Sequence, residues 1–103
     1  MRCTIAFTKE AYKDIEESVA WYDTKSEMSS RLLQAIDQRT AIIIRNPKLY
    51  PSKYRHNQIT LRAAPLEKFP FITIYTLDEA ERLVVVFAVW HTAQAPLRWQ
   101  QRL

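Results

Sequence analysis

His91 closes the most apolar run of the chain, Leu83-Val-Val-Val-Phe-Ala-Val-Trp-His91. An imidazole at the end of a core strand leaves the interior on a rigid support, where it can meet a ligand. A second group of chemistry-bearing side chains crowds residues 46–56, where Lys48, Lys53, Arg55 and His56 are interleaved with Tyr50 and Tyr54. Cations in that pattern suit the phosphates of a single-stranded polyanion, and the two phenol rings suit stacking on bases. The same residues fit a solvated connector whose tyrosines pack on a sheet. Arg98 and Arg102 carry positive charge into the C-terminal tail. From Met1 to Ile44 six basic residues face seven acidic ones, whereas from Arg45 onward nine face four. An excess confined to one half favours a polyanionic partner, since neutralised phosphates release counterions.

Composition removes several other chemistries. The chain has no glycine, and phosphate-cradling loops, dinucleotide folds and nucleophile elbows all need glycine for close backbone approach or positive φ. Turns therefore fall to proline and to residues that tolerate unusual backbone, such as Asn46, Asn57 and Asp78. Cys3 is the only cysteine, which excludes an internal disulfide and a cysteine-based metal cluster. No metal and no cofactor are expected. The apolar runs 41–44 and 83–90 fall far short of the roughly 20 residues a membrane span needs, and no charged-then-apolar leader opens the chain. A soluble, cytoplasmic protein is expected, with residues 1–103 as one domain, because about a hundred residues support one core.

The elements that must position these groups follow from periodicity. Cys3 to Phe7 alternates as a short strand. Thr8 reads as a helix N-cap, and Tyr12, Ile15, Val19 and Tyr22 recur as the buried stripe of a first helix, with Trp21 covering the core edge. After a break at Asp23 to Lys25, Ser26 and Glu27 restart a second helix. Met28, Leu32, Ile36 and Ile43 form its buried face, and Pro47 stops it. The short link implies antiparallel helices. Residues 46–56 read as a loop, Asn57 to Arg62 as a strand, and Ala63 to Lys68 as an irregular connector. Phe69 to Leu77 and Arg82 to His91 pair as a hairpin across the acidic break 78–81. A one-turn helix follows Pro96. The fold class is α+β, with two helices on one face of a mainly antiparallel, twisted sheet of about four strands. The continuous apolar run in the last strand requires burial on both faces, or a partner covering one of them.

Read in order, Trp21-Tyr22, Asn46-Pro47, Arg62, Phe69-Pro70-Phe71, Tyr75, Ala88-Val89-Trp90-His91, and Pro96 with Trp99 and Arg102 resemble the RelE/ParE superfamily of type II toxin–antitoxin toxins. The resemblance spans almost the whole chain. It implies a compact toxin that inhibits growth and is masked by an acidic, partly disordered antitoxin encoded beside it. It also implies one of two targets: RelE-like members cleave mRNA on the ribosome without a metal, and ParE-like members poison DNA gyrase.

Metal-free cleavage needs a base for the 2′-hydroxyl, cations on the crowded phosphate and an acid for the leaving oxygen. Arg62 matches a position that often carries arginine in the family, which makes it the expected phosphate clamp, with His91 as the acid or base. Lys48, Lys53, Arg55, His56, Arg98 and Arg102 are the expected phosphate-binding set. Two departures count against cleavage. Gln94 and Ala95 replace the charged residues that precede the tail proline in many relatives, and Thr92 stands where several nucleolytic branches place a tyrosine. A non-toxic, antitoxin-binding module is the third possibility.

Overall fold

The computed structural model describes residues 3–22, 27–56, 58–94 and 97–102. In chain order the elements are β1 (Thr4–Phe7), α1 (Lys9–Tyr22), α2 (Met28–Arg45), β2 (Ser52–His56), β3 (Ile59–Pro65), β4 (Phe71–Asp78), β5 (Leu83–His91) and α3 (Leu97–Gln100). The strands form one sheet in the order β1-β5-β4-β3-β2. Its pairs are antiparallel except β1 with β5, which run parallel from Thr4↔Leu83 to Phe7↔Val86.

The α+β class is as the sequence predicts, with one strand more. Part of the expected 46–56 loop is β2, which pairs Ser52–His56 with Arg62–Ile59 of β3. Pro47 and Pro51 exclude a helix, but both lie outside the strand, and the β3 backbone supplies the hydrogen bonds that the isolated segment lacks. Residues 63–65 likewise belong to β3, paired with Ile72–Ile74 of β4.

A bulge sets the two faces of β5. Ile74 pairs with Ala88 and Tyr75 with Val86, so Phe87 is an extra residue and the alternation shifts there. Val84, Val86 and Val89 therefore join the helix-side core with Leu32, Ile36 and Ile43. Ala88 and Trp90 face the other way and pack with Leu61, Ile74 and Trp99. Trp99, 1% exposed, comes from α3. At about 25 cal/mol per Å², burying roughly 200 Å² of indole stabilises by at most about 5 kcal/mol, enough to hold a single helical turn on the sheet. The protein's own tail thus covers the second face of β5.

Thr8 caps α1 as predicted, its Oγ1 accepting the Ala11 N–H at 3.1 Å. The buried stripe of α1 follows the predicted one except at Tyr12. Ile15, Val19 and Tyr22 pack on the core, but Ala11 and Asp14 are the buried residues, and Tyr12 is 56% exposed against Phe7. Asp14 faces inward, where it meets the Val89 N–H of β5 and the Arg102 guanidinium just after α3. Trp21, expected at the core edge, is 69% exposed and meets Tyr22 edge-on. Ser26 lies outside the described residues. Glu27 stands at the N-cap of α2 without a side-chain cap bond.

Without glycine, Gln58, Lys68 and Arg82 take positive φ of 68°, 68° and 51°. Each sits in the turn between consecutive strands from β2 to β5. Asn46, expected to bear unusual backbone, has φ of −145°, and Asn57 lies outside the described residues. Asp78 contributes differently, its Oδ1 accepting the Glu81 N–H at 3.1 Å. The end of α2 is tied to the sheet by Tyr75, whose buried hydroxyl donates to Pro47 O at 2.7 Å.

Two outcomes follow from these contacts. Left-handed backbone costs a non-glycine residue about 1–2 kcal/mol, partly offset by glycine's greater freedom when unfolded. Arg82→Gly should therefore raise the urea-unfolding free energy by about 0.5–1 kcal/mol, and an unchanged or lower value would refute strain at that turn. Burial pushes the Tyr75 phenol up from 10.0 to about 12. A folded-state value above the unfolded one gives stability that is whole below pH 10 and disappears as pH rises toward 12. In an ultraviolet titration of the folded chain, one of the five tyrosines should ionise last, and Tyr75→Phe should remove that step.

Candidate functional site

Arg62 projects from β3 toward the turn that follows α2. Its Nη1 donates to Tyr50 O at 2.6 Å and Lys48 O at 3.4 Å. The Tyr50 ring is held in turn by Arg39, whose guanidinium lies 5.4 Å from the ring centroid and donates to the phenol oxygen. Lys48 forms an exposed ion pair with Glu79, and that hydrogen bond and charge hold the Glu79 carboxyl below its ordinary range. Arg62 and Glu79 line a shallow cleft of about 490 Å³ with Gln58, Thr60, Thr76 and Asp78. A guanidinium bonded to two backbone carbonyls is a staple for the 47–51 turn, with part of its donor fork already used.

His91 occupies a different place. Its Nδ1 accepts the Ala93 N–H at 3.0 Å, which leaves the proton of a neutral imidazole on Nε2. Its ring stands edge-on to Phe71 with centroids 5.0 Å apart. Around it lies a cleft of about 400 Å³ with Trp21, Tyr22, Phe71, Glu17 and Gln94 in its walls. Arg62 pairs with Tyr75, and His91 with Phe71. The two therefore stand roughly 13 Å apart along the strands and about 10 Å across them. Among the described residues, none lines both clefts. The structure does not bring the expected clamp and the expected acid or base to one phosphate.

The remaining cations divide. Lys53 and Arg55 are exposed on β2, the edge strand, and Arg98 is exposed on α3. The His56 side chain lies outside the described residues. Arg102 is committed within the fold: Nη1 and Nη2 reach Asp14 Oδ2 and Oδ1, both at 2.8 Å, and the guanidinium lies 5.1 Å from the Trp90 ring centroid. The Asp14 hydrogen bond and charge push its pKa upward. Neither candidate stacking ring is free. Tyr50 is under Arg39, and Tyr54 meets Trp99 edge-on with centroids 4.8 Å apart. The tyrosines of 46–56 thus pack into the protein, the other of the two readings their sequence allows.

Sequence reasoning missed Asp14 and Arg39. The available signal for Asp14 was a carboxylate one residue from an apolar helix stripe, with an arginine near the C-terminus to match it. Among the described residues, no three His, Cys, Asp or Glu side chains gather to hold a metal ion. No described helix is long and apolar enough to cross a membrane.

Comparison with curated proteins finds no match. Among solved structures, the fold is shared with a chain of the chromosomal ParDE toxin–antitoxin system from P. aeruginosa, at TM-score 0.70 and 13% identity, covering 87% of this chain and 96% of that one. It is shared too with a chain of the toxin–antitoxin complex RelBE2 from Mycobacterium tuberculosis, at TM-score 0.64 and 18% identity, covering 88% and 99%. The family model described as ParE toxin of type II toxin-antitoxin system, parDE, matches residues 5–96. That span runs from β1 through the end of β5, and the chain accordingly belongs to the ParE toxin family, within the RelE/ParE superfamily that its ordered sequence landmarks resemble.

Proposed function

We propose that this toxin arrests growth by occupying its target, DNA gyrase, in the cytoplasm, with no bond-breaking chemistry of its own, and that a cognate acidic antitoxin neutralises it. The observation that carries the reading is the separation of Arg62 from His91. A phosphodiester cleaved without a metal needs its clamp and its proton carrier on the same few atoms. These two line separate clefts, and the Arg62 guanidinium is engaged with Tyr50 O and Lys48 O. Membership in the ParE family points to the same target class.

Exposed cations fit a role in binding. Lys53 and Arg55 on the edge strand and Arg98 on α3 can meet the backbone of gyrase-bound DNA, where each contact adds affinity without sequence preference. Lys48 joins them once its exposed pair with Glu79 opens. Solvent screens such an exposed pair, so a phosphate competes readily with the carboxylate. An antitoxin rich in carboxylates would neutralise the same cations. The family and both structural neighbours concern toxin–antitoxin pairs, which supports a partner of that kind.

The test is induction of the chain with and without the adjacent gene, with DNA supercoiling, DNA damage and mRNA integrity read in the same culture. Induction alone should damage DNA and leave mRNA whole, and co-expression should restore growth. His91→Ala should keep full toxicity, whereas Lys53→Glu with Arg55→Glu should weaken gyrase inhibition by about tenfold or more. Ribosome-dependent mRNA cleavage that His91→Ala abolishes would overturn the proposal in favour of the nucleolytic mechanism.

A further inference from the structure

β5 has a strand on each flank only as far as Val86. There β1 ends, the Thr8 N–H donates to Val86 O at 3.0 Å, and the chain turns into α1. From Phe87 to His91 the flank away from β4 has no strand beside it among the described residues. Open β edges of this kind invite pairing with another chain. Here side chains meet the backbone instead. Asp14 Oδ2 accepts the Val89 N–H at 3.1 Å, and Arg102 Nη1 donates to Phe87 O at 3.1 Å.

The two backbone groups flank Ala88. In a parallel ladder, one residue of the neighbouring strand gives its N–H to the carbonyl before the facing residue and takes the N–H after it. The Arg102 guanidinium and the Asp14 carboxylate supply that donor and that acceptor, locked to each other by two bonds of 2.8 Å. Together they stand opposite Ala88, where β1 would continue if it ran two residues beyond Phe7. Trp99 buries α3 on the far face, and Arg102 lies against the Trp90 ring, so the tail delivers the guanidinium to a fixed place.

We propose that the Asp14–Arg102 pair is a surrogate strand residue that guards the β5 edge, and that without it this chain associates with a second copy of itself through residues 87–91. A second copy is the natural occupant because the same edge has the same unmet need in both molecules. Edge-to-edge pairing about a two-fold axis satisfies both at once. The role differs from that of a plain ion pair, since it depends on which member donates and which accepts.

The test compares the unsubstituted full chain with Asp14→Ala and with the charge-reversed double variant Asp14→Arg, Arg102→Asp. Light scattering across a concentration series gives the mass, and amide hydrogen exchange reports Val89. In the unsubstituted chain the Val89 amide should exchange slowly although it lies on a sheet edge. In both variants it should exchange at least about tenfold faster, and mass should rise with concentration above that of the unsubstituted chain. Reversal keeps opposite charges together but turns a donor toward an N–H and an acceptor toward a carbonyl, so it should fail like Asp14→Ala. Arg102→Leu, which leaves α1 untouched and still covers Trp90, replaces Asp14→Ala if that variant does not fold, and it too should self-associate. A charge-reversed chain that matches the unsubstituted one in both measurements would reduce the pair to simple charge attraction. A folded Asp14→Ala or Arg102→Leu chain of unchanged mass at every concentration would overturn the guard.

Discussion

β5 lies between β1 and β4, with helices on one face and the tail on the other, and every other part of the molecule is arranged around satisfying it. Its nine residues carry apolar side chains to both faces and backbone hydrogen-bonding groups to both flanks. A strand so placed loses the solvation of all of these at once, and each unpaired backbone group would cost about 1–3 kcal/mol. The parallel strand β1 serves one flank for four residues, and Thr8, Asp14 and Arg102 continue where it stops. On the faces, the Phe87 bulge sends Val89 toward the helices and Trp90 toward α3. The burial of Asp14, the exposure of Tyr12 and the docking of the C-terminal turn are consequences of that requirement.

What the sequence reveals and what it conceals divide along the same line. Periodicity locates α1, α2, β4 and β5, because a continuous face of apolar side chains is visible in local spacing. β2 is not visible: Ser52-Lys-Tyr-Arg-His56 has one apolar anchor, Tyr54, and gains strand geometry only through β3 and Trp99. Asp14 is hidden for a related reason. Its partners Val89 and Arg102 lie 75 and 88 residues away, and no local pattern announces a buried carboxylate whose neutralising charge is that remote. The family landmarks were legible as an ordered set. The separation of Arg62 from His91 was not, because it depends on strand register.

Charge is likewise sorted by three-dimensional position more than by sequence count. Of the cations expected to meet phosphate, Arg102 completes the interior and Arg62 holds the 47–51 turn, while Lys53, Arg55 and Arg98 remain on the surface. The basic half of the sequence therefore overstates the basic surface. The tyrosines between those cations are structural, Tyr50 under Arg39 and Tyr54 against Trp99. Neither of these two rings is left open for a base to stack on.

The parallel pairing of β1 with β5 also has a temporal consequence. Residues 4–7 are synthesised well before their hydrogen-bonding partners, residues 83–86. Closing so long a loop carries the entropic cost that makes non-local topologies slow to fold. During synthesis the first strand has nothing to pair with until β5 has been made, and the Arg102 donor arrives later still. β1 therefore stays unpaired while residues 8–82 are made, and the flank it shares with Arg102 is completed only after β5 itself exists.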